Sequence, residues 1–95
     1  MYLHVGNQMN IRIKDIIGIF DADRTTISHI TRKYLSDAQR RNAVVSAAEE
    51  IPKSFVLYRD RSDGNNTVKI CFSQLSTASL VGRVRAGRDG DIENI

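Results

Sequence analysis

The sequence predicts a small single domain of mixed α/β (α+β) class, an antiparallel-rich sheet of short strands with two helices. Three observations predict it. Apolar residues alternate with polar ones in several short runs, two other stretches repeat apolar residues at helical spacing, and turn-forming residues separate them. At 95 residues the chain holds one domain, since splitting becomes the rule only beyond about 200 residues.

Tyr2–Val5 is rich in strand formers, and Gly6-Asn7 punctuates it. In Asn10–Ile13, Ile11 and Ile13 alternate with Asn10 and Arg12, the period of a half-buried strand. Asp15–Asp21 contains Ile16-Ile17-Gly18-Ile19-Phe20, a nearly continuous apolar run that predicts a central strand, with Gly18 marking a bulge or a close approach. These read as two or three short strands in a meander. Asp23-Arg24-Thr25-Thr26 offers successive helix caps, because short side-chain oxygens accept from the first free N–H groups. Beyond them Ile27, Ile30, Tyr34 and Ala38, widened by Leu35, form an apolar stripe, while His29, Lys33, Ser36 and Arg40 form a polar flank. That amphipathic helix ends near Asn42.

Ala43–Ala48 predicts a strand, interrupted at Glu49–Pro52 because proline lacks a ladder N–H. Lys53–Asp60 and Thr67–Ser73 predict a β-hairpin around Asp63-Gly64-Asn65-Asn66. Ser73 or Ser76 caps a last helix carrying Leu80, Val81 and Val84, which Gly87 terminates. The folded domain is thus expected over residues 1–86, with a flexible acidic tail over 87–95.

Hydrophobic residues make up 41% of the chain and charged residues 26%, so a folded core is expected rather than disorder. No apolar run approaches the ~20 residues that cross a bilayer. The opening MYLHVGNQMN lacks the pattern of a secretory leader. Cys71 is the single cysteine, which excludes an internal disulfide and suits a reducing compartment. A cytoplasmic protein without membrane contact is expected.

Chemistry-bearing constellations are scarce. His4 and His29 have no ligand at metal-binding offsets, and Cys71 has no histidine nearby in sequence to activate it. Asp21 and Asp23 lack the ligand series of a calcium loop, and the six glycines form no phosphate-cradling loop. No catalytic residue, metal or cofactor is expected. The function is binding.

Net charge is +3, and its distribution is uneven. Residues 24–41 hold Arg24, Arg32, Lys33, Arg40 and Arg41 against Asp37 alone, whereas the sequence after Ala86 is acidic. Thr31-Arg32-Lys33, Gln39-Arg40-Arg41, Lys53-Ser54 and the hairpin residues Arg59 and Arg61 combine phosphate-neutralising cations with hydrogen-bonding neighbours. No helix-turn-helix or zinc-finger pattern accompanies them. From the residues alone, nucleic-acid binding and protein interaction stand level.

Four segments, in order, resemble the extracellular matrix regulatory protein B family, the RemB branch of the RemA/RemB bacterial biofilm regulators. They are Met1-Tyr2-Leu3-His4-Val5-Gly6, Asp15-Ile16-Ile17-Gly18-Ile19-Phe20-Asp21, Pro52-Lys53-Ser54-Phe55-Val56-Leu57-Tyr58 and Ser73-Gln74-Leu75-Ser76-Thr77-Ala78-Ser79-Leu80. The resemblance implies an architecture like that of LytTR-type DNA-binding domains, assembly into homo-oligomers, ring-like in the RemA branch, and a role in transcription of matrix genes. It also implies DNA contact by a basic residue before the second apolar strand, matched by Lys14, and by an arginine pair ahead of the hairpin. Here Ile51-Pro52-Lys53 stands near that pair, so Lys53 is its one surviving cation. The expected function is a homo-oligomeric DNA-binding transcriptional regulator of extracellular matrix genes, with Lys14, Arg32, Lys33, Arg40, Arg41 and Lys53 contacting phosphates. The alternative is an oligomeric interaction module that pairs with another regulator, such as a paralogue, without touching DNA.

Overall fold

A computed structural model describes residues 1–25, 29–48, 51–62, 64 and 66–93, with the side chains of 24, 25 and 87–93 outside that description. The first two strands, β1 (Tyr2–Gly6) and β2 (Met9–Arg12), pair antiparallel through a two-residue loop. Asn7 and Gln8 both take positive φ there, at 49° and 60°, the twist that a tight hairpin requires. A 3₁₀ turn over Ile13–Asp15 leads to β3 (Ile16–Asp21). A short helix α1 (Ala22–Thr25) and the long α2 (His29–Arg40) follow, then β4 (Val44–Ser46), β5 (Ser54–Asp60), β6 (Thr67–Ser73) and α3 (Thr77–Glu93).

The strands form two sheets, not one. β1 and β2 stand alone, while the second sheet has the order β3-β5-β6-β4. The expected meander of two or three strands has two: β3 turns away and pairs antiparallel with β5. β4 runs parallel to β6, because the chain crosses from β3 by way of α2 before entering the sheet.

Alternation along β5 and β6 fixes three layers. Phe55 and Ile70 join Ala22, Ala38 and Ala43 on one face, under α1 and α2, with Leu35, Leu57 and Phe72 packed around them. Val56, Tyr58 and Cys71 project to the other face and meet Leu3, Val5, Ile11 and Ile13 of the β1–β2 layer together with Leu80 of α3. Both faces of the central strands are covered, which is why Phe55-Val56-Leu57-Tyr58 reads as an unbroken apolar run.

Buried serines fasten the layers. The Ser73 hydroxyl donates to the Val5 carbonyl at 2.6 Å and accepts from Leu75 N–H at 3.1 Å, while the Ser54 hydroxyl donates to the Leu75 carbonyl at 2.7 Å. Both serines are fully buried, and each hydroxyl is satisfied, as burial demands. Arg83 of α3 donates to the His4 carbonyl at 3.0 Å, a second tie to the hairpin layer.

The helix ends refine the sequence reading. Asp21 caps the short α1: its Oδ1 accepts from Asp23 N–H at 2.9 Å, while the residues just ahead of α2, where the Asp23–Thr26 caps are expected to act, lie partly outside the described residues. Ser76 caps α3 by accepting from Ser79 N–H at 3.1 Å. That helix runs through Gly87 to Glu93, so Gly87 does not end it. Glycine within a helix costs only about 1 kcal/mol relative to alanine and need not stop it. Ile27, assigned to the stripe of α2, lies outside the described residues. Of the remaining stripe, Ala38 is buried and Leu35 half-buried, but Ile30 is 80% exposed and Tyr34 43%. The helix meets the sheet through its second half, and an apolar period does not say how far along its length a helix is covered.

Gly18 has both of its expected explanations. Ile16 faces Tyr58 and Gly18 faces Leu57, so Ile17 is an extra, bulged residue on β3. The Phe20 ring lies over Gly18, where a Cβ would stand 2.8 Å from two ring carbons. That ring stacks on Phe55 with centroids 5.2 Å apart, and Phe55 meets Phe72 edge-on at 5.9 Å.

Cys71 is fully buried, and its thiol lies 3.7 Å from the Met9 sulfur. Burial pushes its pKa up to about 11, which leaves almost no thiolate near neutrality. Native protein at pH 8 is expected to resist iodoacetamide, with full alkylation only in denaturant, measurable by mass spectrometry. Rapid native labelling would contradict this placement.

Candidate nucleic-acid interface

Lys14 occupies the 3₁₀ turn between β2 and β3, where its neighbours Ile13 and Asp15 are buried and leave it facing solvent. Lys53 enters β5, held through its backbone: its carbonyl accepts from Ala22 N–H at 3.0 Å, and its N–H donates to the Ser73 carbonyl at 2.9 Å. Because Ile16 pairs with Tyr58 and Asp21 with Ser54, the two lysines stand at opposite ends of the β3–β5 ladder. At ~3.3 Å per residue that separates them by on the order of 20 Å. They form two contacts, not one patch.

Arg32, Lys33 and Arg40 are exposed on α2, and Arg41 is exposed just beyond it. Among the described residues, Lys14, Arg32, Lys33 and Lys53 make no ion pair with a carboxylate. Arg40 and Arg41 are partly committed. Arg40 pairs with Asp37 at 3.4 Å, and Arg41 Nε donates to the Asp37 carbonyl at 3.3 Å. Arg32 and Arg40 lie some 80° apart around the helix, at about 100° per residue. The six cations thus occupy three places: the β2–β3 turn, the start of β5, and the outer surface of α2.

A second basic feature lies at the Lys14 end. Arg12, Asp15, Tyr58, Asp60, Arg61 and Ser62 help to line a cleft of about 370 Å³ beside the β5–β6 turn. Asp15 is only 7% exposed, and Arg61 Nε stands 3.0 Å from its Oδ1. That oxygen accepts no hydrogen bond from the described residues, so its contact with Arg61 is Coulombic and badly aligned for more. Arg12 ends β2 and Lys14 sits in the 3₁₀ turn, so their two-residue spacing does not keep them on one side as it would along a strand. No local signal places Arg12 in this cleft. Meeting Arg61 required the tertiary fold.

Asp60 anchors the far wall. Lys69 Nζ lies 2.6 Å from its Oδ2, and the Ser62 backbone N–H and hydroxyl donate to Oδ1 at 2.9 and 2.6 Å. The Lys69 hydrogen bond, then those from Ser62, lower its pKa to about 2 from an ordinary 3.8. The carboxylate is held more acidic in the folded than in the unfolded chain. Its stabilisation is therefore complete above pH 3.8 and is lost as pH falls through about 2. Thermal melts between pH 5 and pH 2 are expected to show a shallower acid decline for Asp60→Asn than for wild type. Parallel declines would remove Asp60 from the account. Tyr58, beside it, is pushed up to about 12, first by burial and then by the nearby Cys71 and Asp60.

Of the residues weighed for chemistry, His4 sits 3.2 Å from the Asn10 side-chain oxygen and His29 is exposed on α2. No group of three or more His, Cys, Asp or Glu among the described residues could hold a metal ion. No helix there is long and apolar enough to cross a membrane.

No family profile matches the chain. It is 29% identical over 85 residues to extracellular matrix regulatory protein B of Bacillus subtilis (strain 168), spanning 90% of this chain and 91% of that protein. The resemblance carried by the four sequence segments thus extends over most of the chain.

Proposed function

We propose, taking the similarity to extracellular matrix regulatory protein B as premise, that this chain regulates extracellular matrix genes by binding DNA as a homo-oligomer. It works by binding rather than by catalysis. The observation that carries the reading is a set of exposed cations, Lys14, Arg32, Lys33 and Lys53, with no carboxylate partner among the described residues. Such groups are available to phosphate oxygens, and neutralising phosphates releases condensed counterions. Arg40 contributes less, because the Asp37 carboxylate pairs with it, whereas Arg41 is held only by the Asp37 backbone carbonyl and keeps its charge. Contacts split among three places on one protomer gain from repetition around an assembly, where several weak contacts act together. Duplex DNA titrated at rising salt, with oligomeric state measured on the same sample, tests the reading. An oligomer that shifts no duplex at low salt would end it.

One observation favours a second reading, an interaction module partnering another regulator such as a paralogue. Phe20, Ile30 and Tyr34 leave an apolar groove open on the α2 side. Large exposed apolar patches mark protein contact more often than nucleic-acid contact.

A further inference from the structure

We propose that the groove along α2 receives residues 88–95 of a second copy of this chain, so that protomers join head to tail. The inference rests on the homo-oligomer reading above and gives it a mode. Phe20, Phe55 and Leu57 meet Ile30, Thr31 and Tyr34 around an opening of about 280 Å³. Ile30 is 80% exposed, so the first half of the apolar stripe of α2 gains little from burial in the lone protomer. Past Tyr34 a second cleft continues along the helix, bordered by Asp37, Arg40 and Arg41. An occupant therefore meets apolar side chains at one end and guanidinium groups at the other.

Charge selects among occupants. Two α2 surfaces packed symmetrically would set Arg32, Lys33, Arg40 and Arg41 against their own copies, which opposes an isologous pairing. Asp37 offers little relief, since its carboxylate already pairs with Arg40 of its own helix. Residues 88–95, Arg-Asp-Gly-Asp-Ile-Glu-Asn-Ile, have the opposite character: Asp89, Asp91 and Glu93 against Arg88 alone. Ile92 and Ile95 supply apolar groups of the size the groove takes. Ile92 and Ile95 would cover Ile30 and Phe20 while Asp91 and Glu93 approach Arg40 and Arg41. Such an interface joins two different patches, and its repetition closes a ring or extends a filament.

Sedimentation velocity over a concentration series, with circular dichroism on every variant, tests this. Ile30→Asp, Arg40→Glu with Arg41→Glu, and removal of residues 88–95 are each expected to weaken assembly about tenfold or more, the size of a hot-spot loss. Joining Arg40→Glu and Arg41→Glu with Asp91→Lys and Glu93→Lys restores it. A fluorescent peptide of residues 88–95 binds the full chain and not its Ile30→Asp variant. Oligomers that persist unchanged in the folded Ile30→Asp or truncated protein would overturn the inference and leave the homo-oligomer reading standing. Failure of the charge exchange to restore assembly would overturn the pairing of Arg40 and Arg41 with the segment. A wild-type chain monomeric at every concentration would overturn both readings.

Discussion

Leu80→Ala is expected to destabilise the protein by about 2–5 kcal/mol, the cost of removing a buried leucine and leaving a cavity. Leu80 is fully buried, and it holds α3 against Val56, Tyr58 and Cys71 of the central strands and Leu3 and Val5 of the hairpin layer. A 95-residue domain has only about 5–15 kcal/mol of stability in all, and each kcal/mol moves its melting temperature by roughly 4–8 °C. A fall of at least about 8 °C in the thermal midpoint follows. Val81→Ala, half-buried one residue along the same helix, should cost far less. Equal shifts for the two would mean that α3 does not dock as described.

The salt dependence of duplex binding is the second large effect. Each phosphate contact adds roughly −0.9 to the slope of log affinity against log salt. Lys14→Ala and Lys53→Ala together are expected to shallow that slope by about two units per engaged protomer, and to weaken unrelated duplexes alike. The fold sharpens this expectation. The two lysines stand at opposite ends of the β3–β5 ladder, so their single effects should add, as for independent sites. Arg32→Ala should act separately again, from the surface of α2. Equal slopes for wild type and double variant, in folded oligomers, would remove these lysines from the interface. Association with a partner protein that survives both substitutions, without duplex binding, would favour the interaction module.

Where alternation is strict, as in Val68 to Ser73, the sequence located the strand and the structure returned the same bounds. Local signals do not carry partner choice. Nothing in Ile16–Asp21 says that it pairs with Ser54–Asp60 rather than with the strand before it, because that choice depends on the crossing of α2. The same limit applied to function. Exposed lysines and arginines were legible one by one, but the separation of Lys14 from Lys53 and the meeting of Arg61 with Asp15 are tertiary facts. The open half of α2 was hidden for a related reason: periodicity identifies an apolar face without naming what covers it.

The extra residue at Ile17 bears on how the protein stays itself. β3 is an edge strand, and its outer row of peptide groups offers a template on which another extended chain could grow. The bulge breaks the regular spacing of that row and twists the strand locally, so an incoming strand cannot keep register past it. A chain without Ile17 would present a straighter, apolar margin of Ile16, Gly18, Ile19 and Phe20, open to fibrillar growth from any copy in solution. An irregularity of one residue thereby separates controlled association through side chains from uncontrolled association through the backbone.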